Sequence, residues 1–209
     1  MPAAAPPRRE SAARSSSTRI ARARACRCGA GVAAAAGGAR SVTNLDFSET
    51  ALEIGRANAD ANGLLSPAFR TVRDDALPAL RDLAGLPARA DRRRRRGARP
   101  SRRRLPAQQF DVAVLDPPTW ASSAHGAVDI VRDYQSIFKP TLLATRQGGT
   151  ILATNHVSTV DPDEWLGALR RCADKAGRPL SSVDVLTPEG DFPSPDGRHP
   201  LKMALATVA

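Results

Sequence analysis

Phe110-Asp111-Val112-Ala113-Val114-Leu115-Asp116-Pro117-Pro118-Thr119-Trp120 is the stretch that decides the fold. An apolar run of strand length stops at an acid, two prolines and an aromatic residue. This pattern predicts a buried parallel strand that delivers a stiff polar loop to the carboxyl edge of a sheet. Open α/β sheets bind their ligands at that edge. Proline fixes φ and lacks an N–H, so Asp116-Pro117-Pro118 neither continues the strand nor begins a mobile loop. Its carbonyls stay available as acceptors, and Trp120 offers a flat face for stacking. A planar base or amide would use both. The plainer alternative is a strand exit with a structural tryptophan.

Working outward, Gly29-Ala30-Gly31 leads into the helix-forming run Val32-Ala33-Ala34-Ala35-Ala36, which Gly37-Gly38 ends. A short strand, Ser41 to Asp46, follows. The next helix spans 48–62, with Ser48 as N-cap, Glu49 in the first turn and Gly63 as the stop. Asp46 closes its strand about 17 residues beyond Gly29, where an acid suits the two hydroxyls of a ribose. A helix-capping role is the rival reading. A third strand, Phe69 to Arg73, runs into Asp74-Asp75-Ala76 and a helix over 76–84. Acids at three strand ends, Asp46, Asp75 and Asp116, suggest a cationic or donor-rich ligand along the edge. Beyond the Asp-Pro-Pro loop, the sequence predicts a helix over 127–146, a strand over 150–154 ending at Asn155-His156, and a helix over 161–176 with Asp161 as cap and Pro162 at its first position. Strands over 182–187 and 201–208 flank the loop 191–200. The fold class is α/β: a doubly wound, mostly parallel sheet with one antiparallel edge strand.

With these residues in view, the chain from about Gly29 to Val208 resembles class I S-adenosylmethionine-dependent methyltransferases, and within them the bacterial 23S ribosomal RNA group. Gly29-Ala30-Gly31, Asn44-Leu45-Asp46-Phe47-Ser48, Arg73-Asp74-Asp75-Ala76 and Asp116-Pro117-Pro118-Thr119-Trp120 carry the likeness, with Val131-Arg132-Asp133-Tyr134 in support. The resemblance implies a Rossmann-like methyltransferase sheet and S-adenosylmethionine as cofactor. It places Gly29 and Gly31 at the methionine end, Asp46 and Phe47 at the ribose side, and Asp75 and Ala76 at the adenine. Asp116, also counted among the cofactor-binding residues, then opens the catalytic loop, and Asp116, Pro117, Pro118, Trp120 and Asn155 face the acceptor. Such relatives also have an apolar strand immediately before the glycines. Here Thr18 to Arg27 stands in that place and does not read as a core strand.

At 209 residues the chain reads as one catalytic domain over 29–209. It has no apolar run of the ~18 residues that a membrane span needs. Three cysteines are too few for a disulfide framework, which fits a reducing compartment. Cys26-x-Cys28 and the scattered His125, His156 and His199 do not form a metal set. The net charge of +10 is uneven. Segment 1–40 has eight arginines against Glu10, and segment 89–104 holds ten of the 31 basic residues against Asp91, while the remainder is net acidic. Segment 89–104 reads as a disordered, arginine-rich insertion, either an arm that steers RNA association or a passive loop. Segment 1–28 reads as disordered or as an organelle transit peptide. The expected location is cytoplasmic, or organellar if the transit reading holds. The oligomeric state leaves no sequence signature.

Methyl transfer from a sulfonium is an in-line displacement, in which placement of the acceptor and of charge does most of the work. A base must leave its stack to be reached, which calls for a stacking face such as Trp120 and hydrogen-bond partners such as Asp116, the Pro117 carbonyl and Asn155. Carbon-5 methylation of cytosine would need a cysteine nucleophile. Relatives with that chemistry have one just after the fifth strand, where this chain reads Thr154-Asn155-His156. A purine nitrogen, as in the 7-methylguanosine branch, is therefore preferred over cytosine. A small-molecule or protein methyltransferase, and a non-catalytic RNA-binding remnant, are the alternatives.

Overall fold

The computed structural model describes residues 19–23, 29–87, 102–118, 120–123, 126–129, 133–189 and 200–209. In chain order these form β1 (Arg19–Ala23), α1 (Gly29–Ala36), β2 (Ser41–Asp46), α2 (Glu49–Ala61), β3 (Phe69–Arg73), α3 (Ala76–Leu83), β4 (Phe110–Leu115), β5 (Trp120–Ser123), β6 (Gly126–Asp129), α4 (Gln135–Ala144), β7 (Thr145–Asn155), α5 (Pro162–Lys175), β8 (Leu180–Leu186) and β9 (Lys202–Val208). Seven strands make one sheet in the order β3-β2-β1-β4-β7-β9-β8. The first five are mutually parallel, and β9 runs antiparallel to both β7 and β8. The sheet is thus doubly wound and mostly parallel, but its antiparallel strand lies one position in from the edge rather than at it.

One face of the sheet carries α3, α4 and α5. Leu80, Phe138, Leu142, Trp165 and Leu169 pack there against Leu115, Ile151 and Ala204. On the other face Val32 and Ala35 of α1 and Ala59 of α2 close over Val42 and Phe69. Two helix starts follow the sequence reading. The Ser48 hydroxyl accepts from the Ala51 N–H at 3.2 Å, and the Asp161 carboxylate accepts from the Glu164 N–H at 2.9 Å. Each satisfies an amide that the first helical turn leaves without a partner.

Several expectations are corrected. The strand expected to be lacking before the glycines is present: Arg19–Ala23 lies at the centre of the sheet, with Ile20 opposite Val42 on one side and Val112 on the other. The folded domain therefore reaches back at least to Arg19 instead of beginning at Gly29. Its composition hid it, because a central parallel strand normally reads as an unbroken apolar run and this one is Arg-Ile-Ala-Arg-Ala. Residues 127–129, expected to open a helix, instead pair antiparallel with β5 as part of β6, and the helix begins only at Gln135. The strand expected over 150–154 starts at Thr145, which pairs with Phe110; the register with β4 then shifts before Thr150, and Gly148 in the intervening stretch takes a positive φ of 68°.

The arginine-rich insertion is shorter than 89–104. Arg102 and Arg104 are ion-paired to Asp74 and Asp82 and belong to the packed body. Charge runs read as solvated when the acids that neutralise them lie some 20 residues away. Residues 1–18, 24–28, 88–101, 119, 124–125, 130–132 and 190–199 lie outside the described residues, with the expectations placed on them. Among the described residues, no helix is long and apolar enough to cross a membrane.

Candidate active site

Because β1, β2, β3, β4 and β7 are parallel, their carboxyl ends share one edge, and the residues singled out from sequence gather there. Gly29 and Gly31 lie in the first turn of α1, not in a loop ahead of it. The amides of a first helical turn have no partner within the helix, and here that turn sits at the same edge. A Cβ on Gly31 would stand 2.1 Å from Asn44 Oδ1, so any larger residue here would force the buried Asn44 side chain to move. Asn44 is itself fully buried, and its Oδ1 makes no hydrogen bond.

Asp46 ends β2, and its Oδ1 accepts from the Ser48 N–H at 2.9 Å. The capping alternative is therefore partly right: one carboxylate oxygen steadies the start of α2. Among the described residues the second oxygen makes no hydrogen bond. Phe47 beside it is 55% exposed. Its carbonyl accepts from Arg73 Nε at 3.4 Å.

Asp75 occupies the N-cap position of α3 yet makes no side-chain cap bond. Its Oδ2 is buried without a hydrogen-bond partner. A buried carboxylate oxygen left so is costly unless a donor arrives. Ala76 opens the helix, where a backbone N–H has no partner within the helix.

Asp116 follows β4 and is largely buried, with 14% of its side chain exposed. Its Oδ1 accepts from the Thr154 hydroxyl at 2.5 Å and lies 2.9 Å from His156 Nε2. The Thr154 carbonyl in turn accepts from the Tyr134 hydroxyl at 2.9 Å. Burial, and then the charge of Asp116, push the Tyr134 hydroxyl well above its ordinary range, so it remains a neutral donor. Asn155 is also buried; its Oδ1 accepts from the Val157 N–H at 2.9 Å, while Nδ2 has no hydrogen-bond partner. Pro117 is buried and Pro118 half-buried. Trp120 begins β5, its backbone opposite Asp129.

Sequence reasoning thus points to Asp116 and Asn155 but misses Thr154 and His156, which contact the Asp116 carboxylate, and Tyr134, which donates to the Thr154 carbonyl. In the sequence His156 stands out only as one of three scattered imidazoles. The register supplies what is absent there: Leu115 pairs with Ala153, so the residues just beyond, Asp116 and Thr154, come side by side.

No protein-family model matches the chain. Over 165 residues, 79% of this chain, it is 30% identical to the ribosomal RNA large subunit methyltransferase I of Aeromonas hydrophila, of which it covers 36%. Over 128 residues, 60% of this chain, it is 30% identical to the ribosomal RNA large subunit methyltransferase K/L of Allochromatium vinosum, of which it covers 15%. The chain therefore spans about a third, or less, of the length of these curated relatives. The crystal structure of SMU.776 complexed with SAH matches with a TM-score of 0.71 at 16% identity, covering 93% of this chain and 46% of that one. The fold is the Rossmann-like sheet of S-adenosylmethionine-dependent methyltransferases, and the sequence is similar to ribosomal RNA large subunit methyltransferases.

Proposed function

We propose that this chain is an S-adenosylmethionine-dependent methyltransferase acting on a base of ribosomal RNA, with a purine nitrogen as the acceptor. The observation that carries the reading is the alignment of Asp46, Asp75 and Asp116 on one sheet edge, the first two with carboxylate oxygens that lack hydrogen-bond partners among the described residues. The residues fit the cofactor. Asp75 Oδ2 is an acceptor waiting for an amine, and the Ala76 N–H stands beside it as a donor, a complement to the edge of adenine. Asp46 has an oxygen to give a ribose diol. The first-turn amides of α1 suit a carboxylate. When bound, the cofactor supplies an electrophilic methyl group on a sulfonium.

The protein's own part is placement. Asp116 is held by Thr154 and His156, so its carboxylate is fixed before an acceptor arrives. The Pro117 carbonyl and Asn155 Nδ2 are the further groups offered to the edge of a base, and Trp120 is assigned the stacking role on its sequence position. The non-catalytic alternative rests on a lacking first strand, and β1 removes that motive.

Asp46→Ala is expected to weaken binding of S-adenosylhomocysteine by about 1–3 kcal/mol, the cost of leaving ligand hydroxyls unpaired. Isothermal titration measures it, and unchanged affinity takes Asp46 out of the site.

We assign RNA steering to the segment 89–101, which holds seven arginines ahead of the docked Arg102 and Arg104. Its deletion is expected to leave the fold intact, since changing the length of a connection between elements alters closure entropy little. It is also expected to flatten the dependence of RNA affinity on salt, because fewer neutralised phosphates release fewer counterions. Parallel slopes for the two chains would make the segment passive.

A further inference from the structure

Arg102 ties together residues from both ends of α3. Its Nε donates to the Asp74 carboxylate at 2.7 Å from either oxygen, and its Nη1 donates to Asp82 Oδ2 at 2.6 Å. Arg104 Nε donates to the other oxygen of Asp82 at 2.7 Å, and the Leu105 N–H donates to Oδ2 at 3.1 Å. Asp82 is buried, with 4% of its side chain exposed, and Asp74 shows only 13%. This is a built arrangement: a planar fork held by two carboxylates, which a lysine cannot reproduce.

What the fork holds is a turn with a proposed duty. Asp74 Oδ1, one of the oxygens that Arg102 grips, also accepts the Asp75 N–H at 2.8 Å. The Asp74 N–H donates to the Asp46 carbonyl at 3.0 Å. Asp74 therefore connects the residue assigned to the ribose with the one assigned to the adenine. Asp75 has no side-chain cap bond of its own to fix it, and its Oδ2 is buried without a partner. Its direction depends on Asp74, and Asp74 depends on Arg102.

We infer that Arg102 is a positioning residue of the cofactor site, holding the Asp74–Asp75 turn so that the Asp75 carboxylate selects a purine bearing an exocyclic amine. The inference rests on the methyltransferase reading. The hydrogen bonds of Arg102 go to Asp74 and Asp82, on the side of the turn and not on the side of methyl transfer. Loss of Arg102 thus acts on recognition of the base. The arginine-rich connection, which looks like an appendage in the sequence, ends in a residue that shapes the pocket.

The test compares S-adenosylhomocysteine with its inosine counterpart, in which a carbonyl replaces the 6-amino group, by isothermal titration against the whole chain. Wild-type protein is expected to prefer the adenosine form by about tenfold, the worth of one good hydrogen bond to a charged acceptor. In Arg102→Ala the preference is expected to shrink to about twofold. A general loss of stability would lower both affinities together and leave their ratio alone. If Arg102→Ala does not fold, Arg102→Lys keeps the charge, reaches one carboxylate at most, and is expected to show an intermediate ratio. A wild-type ratio retained in the folded variants overturns the role of Arg102 while the cofactor assignment stands. Failure of the wild-type chain to bind either compound overturns the methyltransferase reading and this inference with it.

Discussion

Asp116→Ala is expected to lower methyl transfer to RNA by about 10²–10³-fold, the usual effect of removing a fixed polar group at the reacting centre. Affinity for S-adenosylhomocysteine is expected to change far less. The reason is the position of Asp116 beyond β4, where its Oδ1 is the shared acceptor of Thr154 and His156. Alanine there deletes the carboxylate and also strands the two groups that orient it. Thr154→Val leaves the acid and takes away one donor, so its effect should be nearer tenfold, in line with one hydrogen bond to a charged acceptor. Single-turnover transfer of a labelled methyl group, read beside titration calorimetry, separates the two quantities. Equal losses of binding and turnover in Asp116→Ala would move Asp116 from the acceptor side to the cofactor side.

Asp82→Ala is expected to cost about 3 kcal/mol of stability at neutral pH, since it dismantles a largely buried ion-pair network and leaves Arg102 with one partner fewer. Burial alone would raise the Asp82 carboxyl, but the hydrogen bonds from Arg102, Arg104 and the Leu105 N–H, with the charge of Arg102, outweigh it and hold the group below its ordinary 3.8. A carboxyl depressed by folding adds stability that is complete above the unfolded value and disappears as pH falls through the folded one. The gap between wild type and Asp82→Ala should therefore be widest near neutrality and narrow below 3.8. Urea unfolding at a series of pH values gives that curve. A gap that does not change with acid would mean that the loss comes from packing and not from the charge.

Much of this architecture was legible because it is written in local chemistry. Ser48 and Asp161 are caps wherever a helix follows them, and the run ending at Asp116-Pro117-Pro118 can hardly be anything but a strand that stops. The strand-end acids were legible for the same reason, since each lies within two residues of the end of its own strand. What escaped is non-local. Arg19–Ala23 becomes a central strand because β2 and β4 both present unpaired backbone to the gap between them, and pairing answers to amides more than to side chains. Thr154 and His156 reach Asp116 only through the register of β4 with β7. Arg102 and Arg104 look like part of a repelling block until Asp74 and Asp82, from another element, come within reach. Composition sees a residue's neighbours in the chain, whereas these three features depend on neighbours in space.

The place of β9 between β7 and β8 also sets an order of events. Among the described residues β8 is hydrogen-bonded to the sheet only through β9, although it precedes β9 in the chain. During synthesis residues 180–186 emerge before the strand they pair with, and until 202–208 arrive the sheet has β7 as its open border. Two strands then settle almost as one, late and over a long stretch of chain, which is the slow kind of closure. In that interval the border at β7 is the place where a nascent chain is most open to a chaperone, or to the wrong strand.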